Sequence, residues 1–319
     1  MRLRTDSFLG QWLEAAKPTL RPRTWQRYEE IVRLHLVPSL GRLPLARLGP
    51  QDLQRCYAAA ATRGLSPRSV RCVHMVLHRA LGQAERWRII TRSPAALVDA
   101  PGAPRTEVRV LDAAQVRTFL GSVRGHRREA LYVLALATGM RQGELLALHW
   151  RDVNLDRAVV AVTGTLQRHP QEGLKIAEPK TARSRRQVHL GASAVDALRR
   201  HRTAQLAERL RAGSEWRELD LVFATRVGGV VDAHDVRIEF TGLLERAGLL
   251  RVRFHDLRHT AATLLLEQGV HPKVAADMLG HATVAVTLDT YSHVTSGMHE
   301  AAAEALDAVL RTRPGNPTS

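Results

Sequence analysis

The sequence predicts a mostly α-helical protein with one small antiparallel sheet, made of an all-α N-terminal domain and a larger α+β domain. Apolar residues recur at helical spacing through roughly the first hundred positions, with no convincing strand. Strand-like alternation is confined to the second domain, around Val159 to Thr163 and Val188 to Leu190. Between the two lies a stretch from Ser93 to Arg109 holding Pro94, Pro101, Gly102 and Pro104, with little periodicity.

The first helix carries Phe8, Leu9, Trp12 and Leu13 and stops near Pro18. Pro22 opens a second, with Trp25, Tyr28, Ile31, Val32 and His35 on its stripe until Pro38. After a connector from Pro44 to Pro50, a third helix carries Leu53, Cys56, Tyr57 and Ala60 and ends around Gly64. Ser66 is a good N-cap with Pro67 behind it, opening a fourth helix with Val70, Val73, Leu77, Leu81 and Ala84 in line.

Asp112 looks like the N-cap of the next helix, which carries Val116, Phe119 and Leu120. A strongly apolar helix then runs from about Arg128 to Thr138 and breaks at Gly139, and another follows from about Gln142 to Leu148. Val159, Ala161 and Thr163 with Val188 and Leu190 give two strands, and a segment around Leu174 to Ile176 gives a middle one. Helices follow at Ala194–Leu210, Asp232–Ala247, Asp256–Gln268 and Met298–Leu310. The expected boundaries are therefore a helical domain over 1–92, a linker over 93–106, a second domain over 107–310 and a disordered tail over 311–319. No internal repeat is present.

Charge points to the partner. The 319 residues carry 47 Lys and Arg against 31 Asp and Glu, a formal net charge of +16. A GC-rich genome can explain why only Lys17, Lys175, Lys180 and Lys273 are lysines, but not the imbalance against acids. Such an excess favours a polyanion, because each phosphate neutralised releases counterions. Cys56 and Cys72 sit at helical apolar positions and form no disulfide or CxxC framework. With no signal peptide and no membrane span, the expectation is a cytoplasmic protein.

Three clusters gather chemistry. In Thr138-Gly139-Met140-Arg141-Gln142-Gly143-Glu144-Leu145 an arginine follows a glycine break, and Glu144 can reach it from the same helix face. Alone this could be a surface ion pair at a helix start. In Phe254-His255-Asp256-Leu257-Arg258-His259-Thr260, His255 and Arg258 are three apart and point the same way on a helix. That stretch also imitates a zincin HExxH, with a shorter Asp for the Glu, a repelling arginine and no obvious third ligand. The third cluster is Leu279-Gly280-His281-Ala282 and then Thr290-Tyr291-Ser292-His293, with apolar Val286 and Leu288 between.

Together, Ala137 to Glu144, His255 to Thr260, Leu279 to His281 and Tyr291 resemble, in order and spacing, the catalytic boxes of the tyrosine recombinase (phage integrase) family. The helical N-terminal domain is similar to that family's core-binding, SAM-like domain. The resemblance implies that Arg141 and Arg258 hold the non-bridging oxygens of a scissile phosphate. It implies that Lys180, in Glu178-Pro179-Lys180-Thr181, protonates the leaving 5′ oxygen, with Lys175 in the same hairpin as the other candidate. His255 assists proton transfer from the tyrosine, His281 contacts the phosphate, Tyr291 is the nucleophile and Glu144 supports them.

Such chemistry needs no cofactor, metal or ATP. Fixed guanidinium groups stabilise the charge of a five-coordinate phosphorus, and the phosphotyrosine keeps the bond energy for resealing. The implied partners are double-stranded DNA recombination sites, a homo-tetramer on synapsed DNA and an accessory DNA-bending or directionality factor. The two domains would close on a duplex as a clamp, in the cytoplasm at the nucleoid. The arginine-rich helices at Arg68 to Arg88 and Arg199 to Arg211 are either phosphate contacts or solvated faces. The helix over Met298 to Leu310 docks either on a neighbouring protomer or on its own domain. An extra N-terminal arm-binding module is not expected, which leaves a Xer-like resolving role open beside integration and excision. A type IB topoisomerase, a regulator with a vestigial site and a metalloprotease are the competing classes.

Overall fold

The computed structural model describes residues 3–100, 102, 109–169, 173–178, 185–280 and 307. The chain divides into two compact units, Met1–Glu107 and Val108–Ser319.

In the first unit, α1 (Thr5–Ala16) buries Phe8, Leu9, Trp12 and Leu13 along one side. Pro22 opens α2 (Pro22–Ile31), and the chain then stays helical through Pro38, where the sequence predicts a stop. A π turn at Val32–Leu36 makes this possible, joining α2 to the short α3 (Val37–Leu40). Proline has no N–H for the carbonyl four residues back and its ring crowds that turn. Widening the turn so that Val37 N–H reaches Val32 O takes up the strain one residue early.

Two further helices complete this unit. They are α4 (Pro50–Thr62) and α5 (Pro67–Arg86), the latter capped by Ser66 Oγ accepting from Ser69 N–H at 3.2 Å. Leu36, Leu40, Leu53, Leu77 and Leu81 fill the space between them. Cys56 is buried in that core, whereas Cys72 is only half-buried.

The second unit is built round α7 (Glu129–Thr138), which follows α6 (Ala113–Ser122). Asp112 caps α6 in a capping box with Gln115. Helix α7 is apolar on nearly every side because it is central, packing on α9 (Ala192–Ala212) and α11 (Asp256–Glu267). Phe119, Tyr132, Phe240 and Phe254 form an aromatic cluster with centroids 5.4–6.2 Å apart. Burying each such ring contributes roughly 1.5–3 kcal/mol. The remaining α-helices among the described residues are α8 (Gln142–Leu146), α10 (Ala233–Arg246) and α12 (Pro272–Leu279).

The strands correct the expected sheet. β1 (Val153–Asn154), β2 (Val159–Val162) and β5 (Arg186–His189) form an antiparallel sheet in the order β1-β2-β5, with Val160 opposite Val188. The segment expected in the middle, β4 (Gly173–Ala177), is not between β2 and β5. It pairs with β3 (Thr165–His169) as a separate two-stranded ribbon, Gln167 opposite Lys175. Val160, Val162 and Val188 point into the core, so β2 and β5 belong together, while β4 exposes Lys175 and Ile176. The expected C-terminal helix and the tail lie outside the described residues, save position 307.

Candidate active site

Helix α7 must end abruptly for the site to form, and Gly139 ends it. Its backbone is left-handed (φ 60°, ψ 20°), and its N–H donates to Ala135 O at 3.0 Å. A Cβ at this position would also overlap the Leu279 side chain. Two residues on, Arg141 sits at the mouth of α8, and Glu144 in the first turn reaches back to it. Glu144 Oε2 accepts from Arg141 N–H at 3.0 Å, and Oε1 accepts from Arg141 Nη1 at 2.7 Å. This is not the surface ion pair that the motif alone allows, for Glu144 is only 5% exposed.

The two arginines meet at one backbone turn. Arg141 Nη2 donates to Gly280 O at 3.1 Å. Arg258, buried in the first turn of α11, donates from Nη1 to Gly139 O at 2.8 Å and to Leu279 O at 2.6 Å. The Leu279 and Gly280 carbonyls end α12, where helical hydrogen bonding runs out, and left-handed Gly280 (φ 69°) closes the turn. Positions 139–141, 258 and 278–280, remote in sequence, are thus brought together.

Arg186, not among the residues singled out in the sequence, lies beneath them. From β5 its Nη2 donates to Glu144 Oε2 at 3.0 Å and its Nε to Met278 O at 2.9 Å, with the side chain 8% exposed. Burial alone would raise the Glu144 carboxyl, but the hydrogen bonds and charges of Arg186 and Arg141 outweigh it and hold the group below its usual range. One signal for Arg186 was available. It shares strand parity with Val188 and Leu190, so it points inward, whereas neighbouring Arg185 is exposed.

His255 stands just before α11 with its ring accessible. Desolvation by the protein around it, and then the Arg258 charge, push its pKa below the usual histidine value, with Asp256 opposing them. Its ring meets that of His259 edge-on, centroids 5.3 Å apart. Asp256 is held by Arg253, whose Nη2 donates to Oδ1 at 2.8 Å. Thr260 Oγ accepts from Leu111 N–H at 3.1 Å, tying the start of the unit to α11. Among the described residues no three His, Cys, Asp or Glu side chains are placed to share a metal ion.

Lys175 lies exposed on β4. Lys180, His281 and Tyr291 lie outside the described residues. The other three tyrosines are engaged elsewhere. Tyr57 and Tyr132 are buried, their hydroxyls paired with His74 and Glu239, and desolvation raises both well above the ordinary phenol range. Tyr28 stacks on Trp12 at 5.9 Å and accepts from Arg79.

Two guanidinium groups seated on adjoining carbonyls, beside an accessible histidine, make a cradle for a tetrahedral oxyanion. Comparison with known proteins places the whole chain. Residues 109–298 match the phage integrase family, and residues 6–59 match the phage integrase N-terminal SAM-like domain. The chain belongs to this family, the tyrosine recombinases. It is 30% identical over 93% of its length to a tyrosine recombinase XerC-like protein of Caldanaerobacter subterraneus subsp. tengcongensis, covering 81% of that protein. It is 31% identical over 96% of its length to an integrase of Streptomyces ambofaciens, covering 80% of it. In fold it is similar to the Tn1549 transposon integrase in complex with a circular intermediate DNA (TM-score 0.82, 21% identity, 95% of this chain and 99% of that one). A lambda integrase dimer bound to a core site is also similar (TM-score 0.68, 16% identity, 91% and 77%). No helix among the described residues is long and apolar enough to cross a membrane.

Proposed function

We propose that this site-specific recombinase cleaves and rejoins double-stranded DNA at recombination sites of a phage or other mobile element. The observation that carries the reading is the seating of Arg141 and Arg258 on adjacent carbonyls of one turn, with Glu144 beneath. The arginines bind the non-bridging oxygens of the scissile phosphate, and His281 adds a further contact. The Tyr291 oxygen attacks phosphorus, its proton passing by way of His255, and the bond from phosphorus to the 5′ oxygen breaks. Lys180 protonates that oxygen. The products are a 3′-phosphotyrosine and a free 5′ hydroxyl, whose attack in the reverse sense reseals a strand. The commitment of Tyr28, Tyr57 and Tyr132 to packing supports Tyr291 as the nucleophile.

The helical domain over 1–92 and the catalytic domain over 107–310 grip the duplex, joined by the linker over 93–106. Excess arginine supplies phosphate contacts. Lambda integrase has been solved as a tetramer bound to a Holliday junction, which supports four protomers in the working complex here. The reaction runs without metal or ATP, at the nucleoid, with an accessory DNA-bending or directionality factor.

The test is a covalent-adduct assay in EDTA, with labelled DNA from the region flanking the protein's own gene. An SDS-resistant adduct that disappears in Tyr291→Phe is expected. Tight DNA binding with no adduct, with or without host extract, would overturn the reading in favour of a regulator.

A further inference from the structure

Glu144 lies between two arginines, and the balance of charge there has a consequence for phosphate binding. A carboxylate bonded to Arg141 alone would cancel most of its charge, so an incoming phosphate would meet a neutral pair. Arg186 changes this. It takes Oε2 of Glu144 and leaves Oε1 to Arg141 Nη1, so that one carboxylate faces two guanidiniums. Arg186 is 8% exposed and Arg141 42%, so the surplus positive charge emerges at Arg141, the accessible member.

The same side chain also fixes position. Its Nε–H satisfies Met278 O in the last turn of α12, and its guanidinium packs under Gly280, where a Cβ would come within 3.0 Å of Nη1. Arg186 begins β5 just after the segment that contains Lys180, and Met278 stands three residues before His281. It therefore ties together the chain flanking two residues of the proposed reaction.

We propose that Arg186 is a positioning residue for phosphoryl transfer: it neutralises Glu144 so that Arg141 keeps its charge for the phosphate, and it anchors the turn on which Arg141 and Arg258 are seated. The assignment rests on the recombinase reading for its kinetic consequences, but its electrostatic part can be read without turnover.

The experiment is a double-mutant cycle of wild type, Arg186→Gln, Glu144→Gln and the double variant, with Arg186→Lys alongside. Two readouts are taken: the single-turnover rate of adduct formation at saturating DNA, and the thermal shift given by orthovanadate, a tetrahedral oxyanion. Arg186→Gln should slow the adduct step about tenfold or more while changing DNA affinity less than about threefold. In the Glu144→Gln background the same change should cost several-fold less, because the carboxylate it balanced is gone and only the anchor on Met278 O is lost. The vanadate shift should be lost in Arg186→Gln and regained in the double variant. Arg186→Lys keeps the charge and should be faster than Arg186→Gln.

Equal losses in both backgrounds, or an unchanged vanadate shift in Arg186→Gln, would overturn the proposal and leave Arg186 an ordinary core arginine. Should Arg186→Gln not fold, the lysine variant decides the electrostatic part, since a vanadate shift lost although the charge is kept overturns the neutralising role. A wild-type chain that forms no adduct would sink the recombination reading, while the vanadate arm still decides the role of Arg186.

Discussion

Arg258 and Gly139 lie 119 residues apart, and Arg258 Nη1 donates to the Gly139 carbonyl at 2.8 Å. That bond requires the left-handed turn at 139 and the close passage of Leu279 beside it. Gly139→Ala should therefore destabilise the second unit by roughly 2–4 kcal/mol, combining a left-handed alanine with overpacking against Leu279. Urea unfolding measures this directly. A change below about 0.5 kcal/mol would mean that the turn relaxes freely.

The depressed pKa of His255 has a sign that kinetics can read. If neutral His255 takes the tyrosine proton, activity falls as pH drops through its pKa, which lies below the usual 6.5. The acid limb of the kcat/KM profile for adduct formation should fall below that value. An acid limb above 6.5 would remove His255 from this role.

Glu144 gives an acid limb in stability. Its carboxyl is held below the ordinary value of 4.5, so its stabilising contribution is present above that pH and is lost as pH falls through the folded-state value. Wild type should lose stability more steeply than Glu144→Gln as pH falls below about 4.5. Parallel curves would show that the buried carboxylate is not coupled to folding.

Lys180 and Lys175 can be separated chemically. Lys180→Ala should slow cleavage by about 100-fold or more, and a substrate with sulfur at the 5′ bridging position should restore it, since a thiolate leaves without a proton. Lys175, exposed on β4, should tolerate alanine with little loss. The reverse pattern would move the general acid to Lys175.

Much of this molecule was legible in its residues. Ser66, Pro67 and Asp112 mark helix starts through side-chain and ring chemistry that acts within one turn, and the helices begin there. The continuation through Pro38 was not legible, because a π turn leaves no compositional trace. The strand at β4 was expected but its partner β3 was missed, because Thr165–His169 holds one apolar residue, Leu166, and so shows no alternation. In the site, Arg141, Glu144, His255 and Arg258 stood out by local motif. Arg186 did not, because its partners Glu144 and Met278 are 42 and 92 residues away.

Apart from the Glu144 carboxylate under Arg141, the seats of both arginines are carbonyl oxygens, at Gly139, Leu279 and Gly280, and every residue type carries that group. Substitution along this turn therefore cannot delete an acceptor, whereas substitution at Glu144 can. What drift can damage is the path of the chain, and there the two left-handed glycines are the vulnerable points. A lineage could rewrite much of the surrounding wall and keep the cradle, provided those two positions never acquire a side chain.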